Sequence, residues 1–298
     1  MKLLHVLTGL FLLSSLTTWQ CNGQMPNLDG GNAIPPAARD FVCQPADDSI
    51  FLEKVKALQS IQDLGQATLS TARSWVGNIY VHGTLDRWET ERLVVNLRQL
   101  DCWTFVEACL AMALAAQDSA PSMERYAYFL QRLRYRNGII DGYGSRIHYF
   151  SDWVLNADSL GYVEDITQQL GGVPNRKKIS YMTDMVWDYP KLDDQAEKQK
   201  VQAAQERINA HEWYFIPKAK VAGMEDKIHD GDIIMLMSSR SNLDVEHQGF
   251  AVRGADGHIH LMHASSTGKK VILSSRTLIV YLGRLPAMSG IMVARIKA

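Results

Sequence analysis

The chain holds only four cysteines in 298 residues. That excludes the dense disulfide framework of small secreted scaffolds, so the fold has to rest on an apolar core. Two of the four, Cys102 and Cys109, lie in one apolar run. Seven residues along a helix is a rise of about 10.5 Å, beyond disulfide reach. No charge of either sign dominates: 31 Lys and Arg stand against 32 Asp and Glu, a net charge of −1, which leaves no basic footprint for nucleic acid. Beyond residue 16 no apolar run is long enough to cross a bilayer. There is no internal repeat, which excludes solenoids and propellers. His211-Glu212-Trp213-Tyr214-Phe215 starts like a zinc-protease helix but lacks the second histidine, at 215.

What is present reads as an exported α+β protein. Met1-Lys2 precedes an apolar run, Leu3 to Leu16, and then a polar stretch with Cys21-Asn22-Gly23. This is the pattern of a secretory signal peptide over residues 1–23, cleaved near Gly23, and it predicts a periplasmic or secreted protein. Cys21 is an alternative lipid-anchor site, although Gln20 is not the small residue that such sites prefer. Residues 24–48 are rich in Gly, Pro and Asn and read as a linker. Residues 49–298 read as a single domain, expected to be a monomer. Apolar spacing predicts one or two helices over 49–75, then helices over 86–98, 101–117 and 121–135, and a solvated helix over 191–210. Asn137 to Tyr149 reads as a loop over a site. From 231 to 297 the alternation is that of an antiparallel sheet. Helices first and sheet last is an α+β order.

Asp101-Cys102-Trp103-Thr104-Phe105-Val106-Glu107 opens the most apolar helix. Asp101 suits the N-cap, which puts Cys102 at the first helical position. Free N–H groups and the helix dipole favour a thiolate there, and a thiolate is a strong nucleophile. The bland alternative is a cysteine packed as a small hydrophobe. Two downstream histidines weigh against it. Gly254-Ala255-Asp256-Gly257 signals a hairpin between two strands. If the loop is Ala255-Asp256-Gly257, residue 254 pairs with 258 and 249 with 263. His247 and His263 then share a face, two residues out of step, while His258 and His260 point the other way. A cysteine with a basic histidine and a group that orients it is a nucleophilic arrangement. Cys, His and His are equally a zinc-ligand set at this point.

The chain resembles a known family in Asp-Cys-x-x-Phe, in His247-Gln248-Gly249-Phe250-Ala251, and in His263-Ala264-Ser265-Ser266. These are similar to the NlpC-type cell-wall cysteine peptidase superfamily, as is Gly77 to Gly83, where Ile79 stands in place of a proline. The closer resemblance is to its N-acetylmuramoyl-L-alanine amidase-like branch. It is carried by Glu91 to Leu97 running into Leu100 to Glu107, by Arg134 to Gly138, by Arg146 to Tyr149, by Ser151-Asp152-Trp153 and by Leu243 to His247. The resemblance implies a papain-like α+β fold, no metal or cofactor, and hydrolysis of the amide between N-acetylmuramic acid and L-alanine. It implies Cys102 as nucleophile, His247 as base and His263 as the orienting residue, with Tyr80 beside the nucleophile. Arg134, Arg136 and Arg146, crowded with Tyr143, His148 and Trp153, suggest a polar-aromatic surface for a sugar–peptide that carries carboxylates. Asp101, Trp103 and Asp152 are expected to join it. The alternatives are an endopeptidase acting further along the stem peptide, after γ-D-glutamate, and a wall-binding protein without activity.

Overall fold

The structure is a computed structural model that describes residues 40–297. Residues 1–39, which carry the expected signal peptide, Cys21 and the first part of the expected linker, lie outside the described residues. The chain opens with β1 (Phe41–Val42), α1 (Pro45–Leu58), α2 (Leu64–Ser74), β2 (Ile79–Tyr80), β3 (Leu93–Val94) and β4 (Gln99–Leu100). Next come α3 (Cys102–Ala116), α4 (Met123–Arg134), α5 (Phe150–Ser159), β5 (Val163–Asp165), β6 (Val173–Asn175), α6 (Tyr181–Asp184), α7 (Gln195–Ala210), β7 (Trp213–Pro217) and α8 (Lys218–Val221). The chain closes with β8 (Ile233–Ser238), β9 (Val245–Arg253), β10 (Ile259–Ser265), β11 (Lys270–Thr277), α9 (Leu278–Gly283) and β12 (Met288–Ile296).

One large mixed sheet organises the molecule, in the order β4-β2-β11-β10-β9-β8-β12-β7-β6, with β5 also paired to β12. It is antiparallel except where β2 meets β4. β8 is buried along its whole length, because both of its faces are covered. Ile233, Met235 and Met237 join the core on the α3 side. Ile234 and Leu236 join Leu261, Leu278 and Leu282 on the α9 side. α3 needs no amphipathic pattern, since it is buried nearly all round, packed among α1, α2, α4 and the sheet.

Two sequence expectations are corrected here. Residues 86–98 are not a helix. Leu93, Val94, Val95 and Leu97 are all buried, and β3 runs parallel to β1. Buried Asp47 accepts from Leu97 N (2.9 Å) and from Arg98 Nε (3.1 Å), which fixes this segment as extended chain. The linker does not reach residue 48 either. Phe41 and Cys43 are buried, and α1 starts at Pro45, where the proline suits the first helical turn and Asp47 accepts from Gln44 N (2.8 Å).

Candidate active site

The helix start is built as the sequence reads. Asp101 Oδ1 accepts from Trp103 N (3.1 Å), Thr104 N (2.8 Å) and Thr104 Oγ1 (2.8 Å), so the N-terminus of α3 is capped and Cys102 sits in its first turn. The backbone N–H groups of Gln248, Cys102 and Trp103 act on the sulfur and favour its ionised form. Burial, joined by the Asp101 carboxylate, outweighs them and pushes the thiol up to about 12. A resting thiolate, which the dipole argument favours, is therefore not what this environment stabilises.

The hairpin has the register that parity requires. Ile259 pairs with Arg253, Gly254 N donates to His258 O (2.8 Å), and Gly257 takes φ +81° at the turn. His247 and His263 meet across the strands, with His247 Nε2 and His263 Nδ1 2.6 Å apart and the rings nearly perpendicular. With Nε2 engaged, Nδ1 is the His247 nitrogen left for other chemistry. A bulge beside Leu236 and Met237 leaves Glu246 unpaired, so the strand bends next to His247. Gly249 matters because a Cβ there would lie 2.8 Å from His263 Cβ. Burial and His263 lower His247 to about 3, and burial lowers His263 to about 4, so both rings are neutral near pH 7.

Gln248, the residue after His247, joins this strand to α3 through Nε2 and the Cys102 carbonyl (3.3 Å). Among the described residues no hydrogen bond joins the thiol to His247. Tyr80 lies near the sulfur. Burial, then the charges of Cys102 and Asp101, push its phenol up to about 12. Sequence reasoning missed Tyr281 of α9, which stacks edge-on against His263 at 5.3 Å and is also raised by burial and by Cys102. No local pattern marks it, because the contact is made only when α9 folds back on β10.

Asp101 and Trp103 open onto a cleft of about 610 Å³. Tyr143, Arg146 and His148 form another wall, as the sequence reading suggested. Burial and the Arg146 charge hold His148 well below the usual histidine range, and its Nε2 meets Tyr143 O at 2.9 Å. Arg146 forms ion pairs with Asp86 and with Glu91 (3.5 Å). The far lip, Asp188 to Lys191, was not foreseen. Lys191 Nζ donates to Trp88 O (2.8 Å) and ties the two lips together.

Four expected surface residues, Arg134, Arg136, Asp152 and Trp153, do not line this cleft. Arg134 is 3% exposed, pairs with Glu107 (2.9 Å) and donates to Val94 O (2.6 Å). Asp152 is 1% exposed and accepts from Arg136 and Arg207, both at 2.8 Å. Trp153 is a 1% exposed core residue. The helices of Arg134, Asp152 and Trp153 turn these positions inward, so their charge and aromatic surface go to the scaffold. Glu107 also accepts from Trp103 Nε1 (2.7 Å), so the Arg134 pair braces the cleft wall from behind. Among the described residues no group of His, Cys, Asp and Glu is arranged to hold a metal ion.

Fold and site define an α/β protein with a helix-start cysteine and a coupled histidine pair beside a polar-aromatic cleft. The chain belongs to the AmiA-like family, described as N-acetylmuramoyl-L-alanine amidase-like, whose model matches residues 70–291. Among solved structures, an N-acetylmuramoyl-L-alanine amidase from Bacteroides uniformis ATCC 8492 is similar at 37% identity and TM-score 0.73, over 79% of this chain and 99% of its own. A Bacteroides fragilis protein, provisionally named a xylanase, is similar at 36% identity and TM-score 0.71, over 76% of this chain and 99% of its own. A Legionella pneumophila protein at 20% identity, covering 85% of this chain and 95% of its own with TM-score 0.66, shares the fold. No curated protein matches the chain.

Proposed function

We propose that the chain is a periplasmic or secreted cell-wall amidase of the NlpC-type, papain-like superfamily. In this reading it hydrolyses the bond between N-acetylmuramic acid and L-alanine through Cys102. Family membership supports the substrate. The observation that carries the chemistry is the 2.6 Å bond between His247 Nε2 and His263 Nδ1, on the strand whose next residue contacts Cys102. The bond fixes the His247 ring and leaves Nδ1 as the base. Cys102 Sγ attacks the amide carbonyl as His247 Nδ1 takes the thiol proton. The Cys102 N–H, at the helix start, stabilises the oxyanion. The C–N bond then breaks, His247 returns the proton to the departing L-alanine nitrogen, and a thioester remains. Water activated by His247 cleaves it, releasing the muramic acid carboxylate and restoring the thiol.

Mass spectrometry of products from a defined muropeptide tests this. The expected products are a free muramic acid carboxylate and a peptide that begins with L-alanine. Activity should vanish in Cys102→Ala and after alkylation, and survive a chelator. A product with L-alanine still attached to the sugar would establish the endopeptidase reading instead. Zinc-dependent turnover would overturn the thiol mechanism.

A further inference from the structure

Among the exposed large apolar side chains of the described residues, Trp187 is the aromatic one, 71% exposed; the rest, such as Leu52, Ile139 and Val280, are aliphatic. It stands on a short turn, Val186–Asp188, whose next residues, Asp188 to Lys191, form the far lip of the cleft. The turn is firmly held. Asp188 N donates to Met185 O, Tyr189 N to Val186 O (both 2.9 Å), and Leu192 N to Tyr189 O (2.8 Å). Val186 and Tyr189 pack on the core, Leu192 is buried, and Lys191 ties the lip to the opposite loop. A large indole fixed in water is costly, because burying apolar surface is favourable. Here the backbone is anchored all around while the ring is left out.

We propose that Trp187 is a saccharide-binding residue, a platform on which a pyranose ring of the substrate stacks as it leaves the cleft. The proposal rests on the amidase reading and deepens it: the preferred substrate carries its glycan. Three observations favour a sugar over a protein partner. Trp187 is the one large apolar side chain exposed among residues 140–272 and is followed by exposed Asp188, so the chain around it does not supply the contiguous apolar patch that protein docking uses. A pyranose has an apolar C–H face that fits an aromatic face, and a polar rim that suits such neighbours. The cleft is of the size that holds one small ligand, and Asp188, the residue after Trp187, lines it, so a peptide joined to a sugar extends beyond the cleft and Trp187 is beside its rim to meet it.

The test uses the full-length Cys102→Ala protein, which binds without turnover, and two ligands: a disaccharide–peptide with the muramoyl amide, and the same peptide with only the lactyl group. Calorimetry gives Kd for each. Trp187→Ala should weaken the disaccharide ligand roughly tenfold, as expected for loss of one aromatic anchor, and leave the lactyl peptide unchanged. Trp187→Tyr should restore most of the loss. Equal weakening of both ligands, or no weakening of either, would overturn the proposal. Because binding is read without catalysis, a wild-type enzyme that cuts a different bond would refute the amidase reading while leaving the lip's sugar preference separately decided.

Discussion

Gly249→Ala is the most direct probe of how the histidine pair is held. A Cβ at this position would lie 2.4 Å from the Met262 carbonyl oxygen, 2.8 Å from His263 Cβ and 3.1 Å from Leu261 Cδ1. All three belong to the facing strand, β10, and the closest is backbone. Opening 2.4 Å to an ordinary contact of about 3.4 Å requires β10 to move by about 1 Å at Met262. Overpacking of this kind costs about 1–3 kcal/mol. For a domain of this size that is a fall in Tm of roughly 2–4 °C per kcal/mol. The catalytic cost is larger, because the displaced strand carries His263, and the 2.6 Å bond to His247 cannot survive a shift of that size. A misplacement of 1 Å in a catalytic group is worth about 10²-fold, so kcat should fall by about two orders of magnitude with little change in KM. Steady-state kinetics on a muropeptide with thermal unfolding in parallel reads both. Gly223→Ala is the control, since a Cβ there meets nothing within 4 Å. A Gly249→Ala protein with wild-type kcat would refute the idea that the pair's geometry limits turnover.

Two further outcomes are expected. Cys102, pushed up to about 12, should show no thiolate absorbance near 240 nm at pH 7, and its alkylation rate should rise with pH well past 9. With His247 lowered to about 3, the acid limb of kcat/KM should lie well below pH 6.5; a thiolate signal at pH 7 would establish a preformed ion pair instead. Arg134→Met should destabilise the fold by about 3–5 kcal/mol in urea unfolding, because it leaves the buried Glu107 carboxylate without its cation; a loss under 1 kcal/mol would mean that Glu107 is already neutral.

The sequence was legible where one short-range rule decides. Asp101 as N-cap places Cys102, and the parity of a three-residue hairpin loop pairs His247 with His263; both are local geometry. It was not legible where two rules compete. Leu93, Val94, Val95 and Leu97 fit a helical and an extended pattern alike, and the strand prevails because distant Asp47 takes the Leu97 N–H. Arg134 carried a signal that was passed over. It lies four residues from Leu130 on the apolar stripe of α4, a position that faces the core, and a charge there needs a buried partner. Trp153 has the same relation to Phe150, three residues earlier on α5. Tyr281, Tyr189 and Lys191 had no such signal, since chain far from the cysteine brings them in.

The contest at Cys102 carries a consequence for the chemistry. The helix start supplies N–H groups that favour the thiolate, but burial outweighs them, and the cap that completes the helix, itself a carboxylate one residue away, adds to its effect. In the proposed mechanism the orienting residue, His263, is an imidazole rather than a carboxylate, so it brings no negative charge to stabilise a protonated His247, whose affinity for a proton is lowered by burial and, after it, by His263. Cys102 and His247 are thus both neutral at rest, so in the proposed reaction the proton leaves sulfur only as the carbonyl arrives to accept the charge. Oxidation attacks the thiolate, not the thiol. On the reading proposed above, a nucleophile kept protonated between turnovers is less open to oxidation in the periplasmic or extracellular compartment that this reading gives it.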